Sequence, residues 1–245
     1  MNITFLKYTN LVPKQFMQMT GMIKLFIEKK EPYYIQFYRM IRQMIFDGKF
    51  QPGEHINETQ LAKEYNVSKS PIREAVRILE KEGLLVADKS KMLVYKPTIT
   101  DVEEIYYCRM ALESFAVNLT TKLATDDELS KIEAILAETE AAINKKMEAN
   151  SIIFLNEQFH QLILTYTKNN RLQKQVYDLK GLINYYRILN FQGNERAVEI
   201  LEQHRRIFYY MKERDETNAS AEMVNHLERD LKHLLQIMMD STRNL

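Results

Sequence analysis

The sequence predicts a mainly α-helical protein in which an N-terminal winged helix-turn-helix precedes a C-terminal antiparallel all-α bundle. Residues 57–85 have the pattern of two short amphipathic helices joined by a tight turn. Two short apolar runs flank residues 88–91 and predict a β-hairpin, the wing. After residue 100 the chain has two glycines and no proline, which favours a succession of long helices.

Length and charge indicate how the chain is divided. Its 245 residues suit two small domains, and we predict an extension at 1–30, the winged helix-turn-helix at 31–98 and the bundle at 99–245. Residues 1–98 carry a net charge of +6 and the remainder −5. A basic segment joined to an acidic one is typical of a nucleic-acid reader attached to another module. For the extension, an extra helix over about residues 14–28 and a translation start at Met22 both stay open.

The first helix of the hairpin and the turn after it show which side chains face inward. Ser68 stands where an N-cap belongs, because its hydroxyl can accept a bond from a free backbone N–H. Pro71 falls in the first turn of the next helix, where a missing N–H costs nothing. The residues expected to be buried here are Leu61, Ala62, Tyr65 and Val67.

The second helix has a polar, cationic leading edge. Its apolar residues recur at helical spacing and should face inward; these are Ile72, Ala75, Val76 and Leu79. The residues left on the outer side are Lys69, Ser70, Arg73, Glu74 and Arg77. A helix that presents such an N-terminal edge can read the major groove of DNA. The alternative is an ordinary solvated face, but the turn at 50–54 and the wing, with Lys89 and Lys91 at its tip, favour DNA binding.

The bundle is predicted as six helices with short connections, which places neighbours antiparallel. A capping box begins the first helix at Thr100 and Glu103, and Thr125 begins the second. The predicted ranges are 100–124, 125–147, 151–167, 171–190, about 193–214 and 217–239. The single cysteine, Cys108, lies in an apolar helical pattern and is expected to be a core thiol, which fits a reducing cytoplasm.

Histidines on three of these helices form a candidate metal site. Asn156 and His160 share one helix face, while His204 and His226 come from later helices. Imidazoles that converge from separate helices can bind a divalent metal. The alternative is surface or satisfied core histidines, and we interpret His233, seven residues after His226, as structural or as a partner of a ligand.

Residues 32–98 resemble the DNA-binding domain of the GntR family of bacterial transcription regulators. The resemblance covers residues 48–54, 61–62, 67–75 and 79–84 as one ordered string. It implies base contacts from Lys69, Ser70 and Arg73, and phosphate contacts from Ser68, Arg77 and Thr59. Lys69 departs from the usual arginine and cannot pair with guanine through two parallel bonds, so the operator should differ from the usual one. The wing tip also lacks the glycines that many members carry.

Residues 154–160, 204–207 and 223–227 resemble the FCD effector domain of the FadR subgroup, as does the segment 109–113. The resemblance implies a divalent metal, zinc or nickel, at Asn156, His160, His204 and His226. Asn156 replaces the usual aspartate and brings no negative charge, so it should bind metal more weakly; a metal-free polar pocket is the alternative.

The same resemblance implies that Arg109 helps to hold a carboxylate ligand, with a surface ion pair to Glu113 as the alternative reading. Tyr185 and Arg187 lie on the helix that usually lines the pocket in this family, and they are candidates for recognising an acid. The alternative is that the tyrosine at this helical spacing packs in the core.

Together these features predict a metabolite-responsive transcription regulator, by default a repressor, rather than an enzyme. We expect a cytoplasmic homodimer that binds a palindromic double-stranded DNA operator and is released by a small organic acid. Two other interpretations remain: a metal-dependent helical enzyme, and a sensor that no longer binds DNA specifically. We expect no association with a membrane, because no apolar run is long enough to span one.

Overall fold

The computed structural model describes residues 31–191 and 193–243, so the predicted extension at 1–30 lies outside the described residues. The elements are α1 (Tyr33–Phe46), α2 (Glu58–Glu64), α3 (Lys69–Lys81), β1 (Leu85–Asp88), β2 (Lys91–Val94), α4 (Ile99–Leu123), α5 (Asp126–Asn144), α6 (Ala149–Tyr166), α7 (Asn170–Asp178), α8 (Lys180–Asn190), α9 (Gly193–Lys212) and α10 (Glu216–Arg243). The mainly α class is confirmed. No described helix has the length and apolar character needed to cross a membrane.

A small apolar core holds the first three helices together. The four inward positions predicted for α3 are all buried, and they pack against α1. Leu61 and Ala62 of α2 are buried as predicted. The prediction for Tyr65 is wrong, because 41% of its surface is exposed. Its ring lies edge-on against Phe37, with centroids 5.6 Å apart, so it covers the rim of this core.

The predicted wing is confirmed as an antiparallel hairpin, with register pairs from Leu85↔Val94 to Asp88↔Lys91. The segment that precedes α2, residues 53–56, hydrogen-bonds to the outer side of β2. Gly53 N–H donates to the Val94 carbonyl at 2.8 Å, and Ile56 N–H donates to the Met92 carbonyl at 2.9 Å. Gly53 has φ +83°, a conformation that glycine adopts readily. The wing is therefore fastened to the chain that leads into the helix-turn-helix.

Helix α4 begins at Ile99, one residue before the predicted start, because Thr98 and not Thr100 caps it. The Thr98 hydroxyl accepts from Asp101 N–H at 3.2 Å, and the Asp101 carboxylate accepts from Thr98 N–H at 3.3 Å. The capping box predicted at Thr100 and Glu103 is therefore wrong. The prediction for Thr125 is confirmed, since it caps α5 through the same reciprocal bonds with Glu128.

Two further predictions about the bundle are wrong. The helix predicted at 171–190 is two helices, α7 and α8, because Leu179 (φ −96°, ψ −5°) tightens the last turn and its N–H donates to the Val176 carbonyl. Cys108 is exposed and is not a core thiol. It lies on α4 away from buried Tyr106 and Arg109, which face the bundle.

We expect Thr98→Ala to lower the free energy of unfolding by about 1 kcal/mol, because it removes the capping bond at the start of α4. Urea denaturation followed by circular dichroism measures the change. Thr100→Ala is the matched control and should be neutral or slightly stabilising, because alanine is the better helix former. A larger loss in the Thr100 variant would contradict this assignment of the cap.

Candidate functional site

The leading edge of α3 is a solvent-exposed polar surface. Lys69, Ser70, Arg73 and Arg77 are all exposed, as predicted, and the last three line a shallow surface depression together with Glu74.

Arg73 is tied to the start of α2. Its Nε donates to Glu58 Oε2 at 3.0 Å, and exposed Thr59 is the next residue along that helix. Asn57 caps α2 by accepting from the N–H groups of Thr59 and Gln60. The structure therefore holds the Arg73 side chain beside the N-terminal turn of α2.

Two other predicted contact sites have unusual backbone features. Ser68 takes the N-cap position of α3 with extended backbone, but its side chain makes no capping bond, contrary to the prediction. The Ser68 hydroxyl therefore does not hydrogen-bond to the N–H groups at the start of α3. Lys89 at the wing tip has φ +54°, a region that side-chain-bearing residues seldom adopt. Lys89 and Lys91 are both exposed.

Three histidines from three helices converge inside the bundle. His160 of α6, His204 of α9 and His226 of α10 are each buried, and each offers a ring nitrogen within 4.8 Å of the others. The Phe159 ring stacks on His204 with a centroid distance of 4.0 Å and shields the cluster on one side. Burial lowers the pKa of His160 and of His226 to about 3, so both rings are neutral near pH 7.

The unpaired atoms of this cluster are those that a metal would need. The Nε2 atoms of His160, His204 and His226 are buried without a hydrogen-bond partner among the described residues, and so is Asn156 Oδ1. Buried polar atoms are nearly always paired, so orphaned nitrogens on three converging histidines favour a metal or another polar ligand at this point. These four residues fit a divalent metal by the chemistry of their donor atoms.

The opposite ring nitrogens of His160 and His226 lie near side chains of the kind that orient metal-binding histidines. His160 Nδ1 lies 2.7 Å from Glu113 Oε2, and His226 Nδ1 lies 2.7 Å from Gln203 Oε1. His233 lies outside the cluster, and its Nδ1 contacts Asn190 Oδ1 at 2.6 Å. Of the two interpretations of His233, this contact favours the structural one over a partner of a metal ligand.

Arg109 and Glu113 form a buried ion pair beside the histidines. Arg109 Nε donates to Glu113 Oε1 at 2.7 Å, and both side chains are almost fully buried. Burial by itself would raise the pKa of Glu113, but Arg109 and His160 outweigh burial and hold that pKa well below its usual range. The ion pair expected at the surface is thus internal. Arg109 does not line the cavity described next.

A cavity of about 370 Å³ lies next to the cluster, bounded by parts of α4, α6, α7, α8 and α10. Its floor includes Glu113 and His160, and its cationic residues are Lys174, Lys180 and Arg187. The apolar side chains of the wall are Ala116, Ile163, Leu164, Val176, Ile183 and Met223. An apolar pocket with a few convergent polar groups is typical of a small-molecule site.

Arg187 is the least neutralised cation of this cavity. It is 8% exposed, and its Nη1 donates to Asn184 Oδ1 at 3.2 Å, while its Nε has no partner among the described residues. Burial, together with nearby Arg109, lowers the pKa of Arg187 from its ordinary value. Lys180, by contrast, is paired with Glu157 at 2.7 Å. A buried guanidinium with so few partners favours an anionic ligand.

The opposite side of α8 faces the helix-turn-helix. Tyr185, predicted to bind effector, instead stacks on Phe46 of α1, with centroids 6.4 Å apart, and it is not among the cavity-lining residues. The Tyr186 hydroxyl hydrogen-bonds to the Tyr95 hydroxyl at 2.9 Å. Burial raises the pKa of Tyr186 to about 12, so this hydroxyl is protonated.

Gly181 and Leu182 complete this contact. A Cβ added to Gly181 would lie 2.6 Å from the backbone oxygen of Glu82, at the end of α3. A Cβ added to Gly83 would likewise lie 3.1 Å from Cδ1 of Leu182, so this leucine packs directly on Gly83. Sequence reasoning missed this contact, although a glycine within a helical pattern is a signal of close packing.

Comparisons with known proteins agree on both parts of the chain. Residues 33–91 match the model of the bacterial regulatory proteins of the gntR family, and residues 104–229 match the FCD domain. The HTH-type transcriptional regulator YdhC of Bacillus subtilis (strain 168) is 43% identical over 219 residues, which cover 89% of this chain and 98% of that protein. The Nta operon transcriptional regulator of Aminobacter aminovorans is 29% identical, covering 77% of this chain and 88% of that protein.

Solved structures show the same fold. The structure of E. coli McbR/YncC matches with a TM-score of 0.67 at 21% identity, and the match covers 83% of this chain and 97% of the McbR/YncC chain. A GntR protein from Rhodococcus sp. RHA1 has a TM-score of 0.68 at 20% identity, with the same coverage. The chain therefore belongs to the GntR family of bacterial transcription regulators, and its helix-turn-helix domain is followed by an FCD domain.

Proposed function

We propose that this chain is a homodimeric repressor that a small organic acid releases from a palindromic operator. The observation that carries the proposal is the position of α8 between two parts of the chain. Ile183 and Arg187 of α8 line the cavity, while Gly181 and Tyr186 contact the helix-turn-helix domain, here called the reader. A ligand that favours one placement of α8 acts on the reader through direct contacts. That differential preference is what allosteric control requires.

The DNA contacts in this proposal come from the leading edge of α3 and from the wing. Lys69, Ser70 and Arg73 read base edges, because they stand on the exposed N-terminal turns that enter the major groove. Ser68, Arg77 and Thr59 contact phosphates, as do Lys89 and Lys91 on the wing. The free hydroxyl of Ser68 supports this role, since it makes no bond to its own helix.

The effector in this proposal is an acid with an apolar body. Arg187 binds the carboxylate, for which its incompletely paired guanidinium is suited, and the apolar wall of the cavity covers the remainder. Arg109 acts indirectly by holding Glu113 against His160. Tyr185 contributes to the contact with the reader and not to the ligand.

A divalent ion, zinc or nickel, completes the site in this proposal. Asn156, His160, His204 and His226 would hold it, since their donor atoms are the orphaned ones. When bound, it would supply positive charge beside the cavity that His160 lines. Glu113 and Gln203 would keep the imidazoles oriented for it.

We expect Arg73→Ala to weaken binding to the preferred operator by about 1–3 kcal/mol, because a base contact is lost. The operator would be selected from a random duplex pool, and affinity would be measured by fluorescence anisotropy. Lys81→Ala, an exposed cation at the far end of α3, is the matched control and should leave affinity nearly unchanged. Equal binding by both variants would support the rival interpretation of a sensor that does not read DNA.

We expect His160→Ala and His226→Ala each to weaken Zn²⁺ binding by more than ~100-fold, since even partners of ligands are worth about 10–100-fold. Competition with a chromophoric chelator measures the affinity of metal-stripped protein, and His55→Ala on the reader is the control. Asn156→Asp should tighten binding, because it adds a negative charge without changing side-chain size. Wild-type protein that binds neither Zn²⁺ nor Ni²⁺ would refute the metal site.

We expect Tyr186→Phe to preserve both DNA binding and acid binding while weakening the coupling between them. A thermal-shift screen of carboxylic acids would identify a binder, with Arg187→Gln as the variant that loses the shift. In wild-type protein that acid should lower operator affinity by roughly 5–150-fold. The variant should lose up to about tenfold of this effect, since one neutral hydrogen bond contributes about 0.5–1.5 kcal/mol.

Tyr209→Phe controls for the loss of a hydroxyl, because this tyrosine is exposed on α9. Its acid response should match that of the wild type. A full acid response in Tyr186→Phe would show that the Tyr95–Tyr186 bond carries no coupling. An acid that binds without changing operator affinity would refute the proposed release.

A further inference from the structure

One face of α4 is apolar but exposed to solvent. Tyr107 and Phe115 are 60% and 52% exposed, and Cys108 and Ala111 between them are also exposed. Their spacing of three to four residues aligns them as one stripe along the helix. The opposite side of α4 is buried against the bundle, chiefly α10. Aligned exposed aromatic residues mark interaction surfaces more often than single ones do.

Opposite charges stand at the two ends of this stripe. Glu104 lies one turn before it and Lys122 about two turns after Phe115, and both are exposed. Seven-residue steps connect Glu104, Ala111 and Asn118 on one helix face. Among the described residues neither Glu104 nor Lys122 has an ion-pair partner. The surface thus has an acidic end, an apolar middle and a basic end.

We propose that this face binds a second copy of the chain, with the two α4 helices antiparallel about a two-fold axis at position 113. This proposal rests on the proposed function, which requires a dimer. Antiparallel pairing about position 113 places Glu104 opposite Lys122 of the second copy, and the two-fold axis repeats that pair. A parallel arrangement would place like charges on each other, so the charge pattern favours the antiparallel one.

The apolar middle of the stripe is self-complementary in the same register. Ala111 falls opposite Phe115, so a small side chain leaves space for a large one. Tyr107 falls opposite Leu119, and Cys108 falls opposite Asn118. A two-fold interface needs this property, because the same patch must fit itself.

The register also agrees with the spacing of a palindrome. Helix α4 begins at Ile99, shortly after the wing, and at 1.5 Å per residue it reaches the axis after about 21 Å. The two α4 starts are then about 42 Å apart, which is comparable to the roughly 34–36 Å between successive half-sites. The pairing therefore separates the two α4 starts, from which the helix-turn-helix domains extend, by a distance on the scale of a palindrome's half-site spacing.

Charge reversal at the ends of the stripe tests the register. Glu104→Lys and Lys122→Glu should each raise the dimer dissociation constant about tenfold, because each turns two attractive pairs repulsive. The double variant should restore it to within about threefold, since every pair is attractive again. Sedimentation equilibrium of the full chain measures the constants. Glu138→Lys, an exposed charge on α5, is the matched control and should have no effect.

Cysteine crosslinking gives a second measurement that does not depend on dimer strength. Asn118→Cys removes the bond from the Asn118 amide to the Glu216 carbonyl. This variant should form a covalent dimer with native Cys108 under mild oxidation, because the two positions lie opposite each other in this register and a disulfide needs Cα atoms about 4.4–6.8 Å apart. Adding Cys108→Ser should abolish the product. Lys145→Cys, placed outside the stripe, should give none. The products are resolved on a non-reducing gel.

The outcomes separate this inference from the proposed function. A dimer that tolerates both reversals and does not crosslink would use another face; the inference would then be overturned, while selection of a palindrome would still support the function. A chain that is monomeric with and without DNA and selects no palindrome would overturn both. Restoration in the double variant together with the crosslink would establish the register.

Discussion

The close approach of α8 to the end of α3 is the constraint on which the arrangement of this protein depends. Gly181 permits it, since any side chain there would meet the backbone oxygen of Glu82. That oxygen belongs to rigid backbone and cannot move aside as a flexible side chain can. Leu182, Tyr185 and Tyr186 then extend the contact toward the wing and α1. The helix that borders the cavity is thereby packed directly on the domain that reads DNA.

Burying the charged and polar side chains inside the bundle carries a large desolvation penalty, which indicates that these residues are kept for function. Three arginines, two carboxylates and three histidines are buried in the bundle, although a core of apolar residues would carry a smaller desolvation penalty. Only part of this polarity is compensated, chiefly by the Arg109–Glu113 and Arg196–Asp230 pairs. The remaining orphans include Arg187 Nε, Asn156 Oδ1 and the three histidine Nε2 atoms, and they favour a ligand supplied from outside the polypeptide. Sites that bind ligands commonly retain such uncompensated polarity.

Local pattern was sufficient wherever one element determines its own environment. The inward positions of α3, the wing and the reciprocal cap at Thr125 follow from helical spacing, turn chemistry and a nearby hydrogen-bond partner. Local pattern gave wrong predictions where two neighbouring residues could take the same structural role. Thr98 and Thr100 both precede an acidic residue by three positions, and only the backbone geometry selects Thr98. Tyr65 and Cys108 belong to apolar patterns, but their faces are decided by what packs against the helix.

The sequence by itself determined the class of the fold, the family, the exposed cationic edge of α3 and the three histidines that meet, because short ordered motifs and helical periodicity carry that information. Only the tertiary structure decided the break at Leu179, the two-sided role of α8, the burial of Arg109 with Glu113, and the separation of Tyr185 from the cavity. The two-sided role of α8 and the place of Tyr185 depend on contacts between residues about 90 to 140 positions apart in sequence, such as Phe46 with Tyr185 and Tyr95 with Tyr186. No local pattern encodes which distant surfaces meet, since that choice minimises the free energy of the whole packed chain.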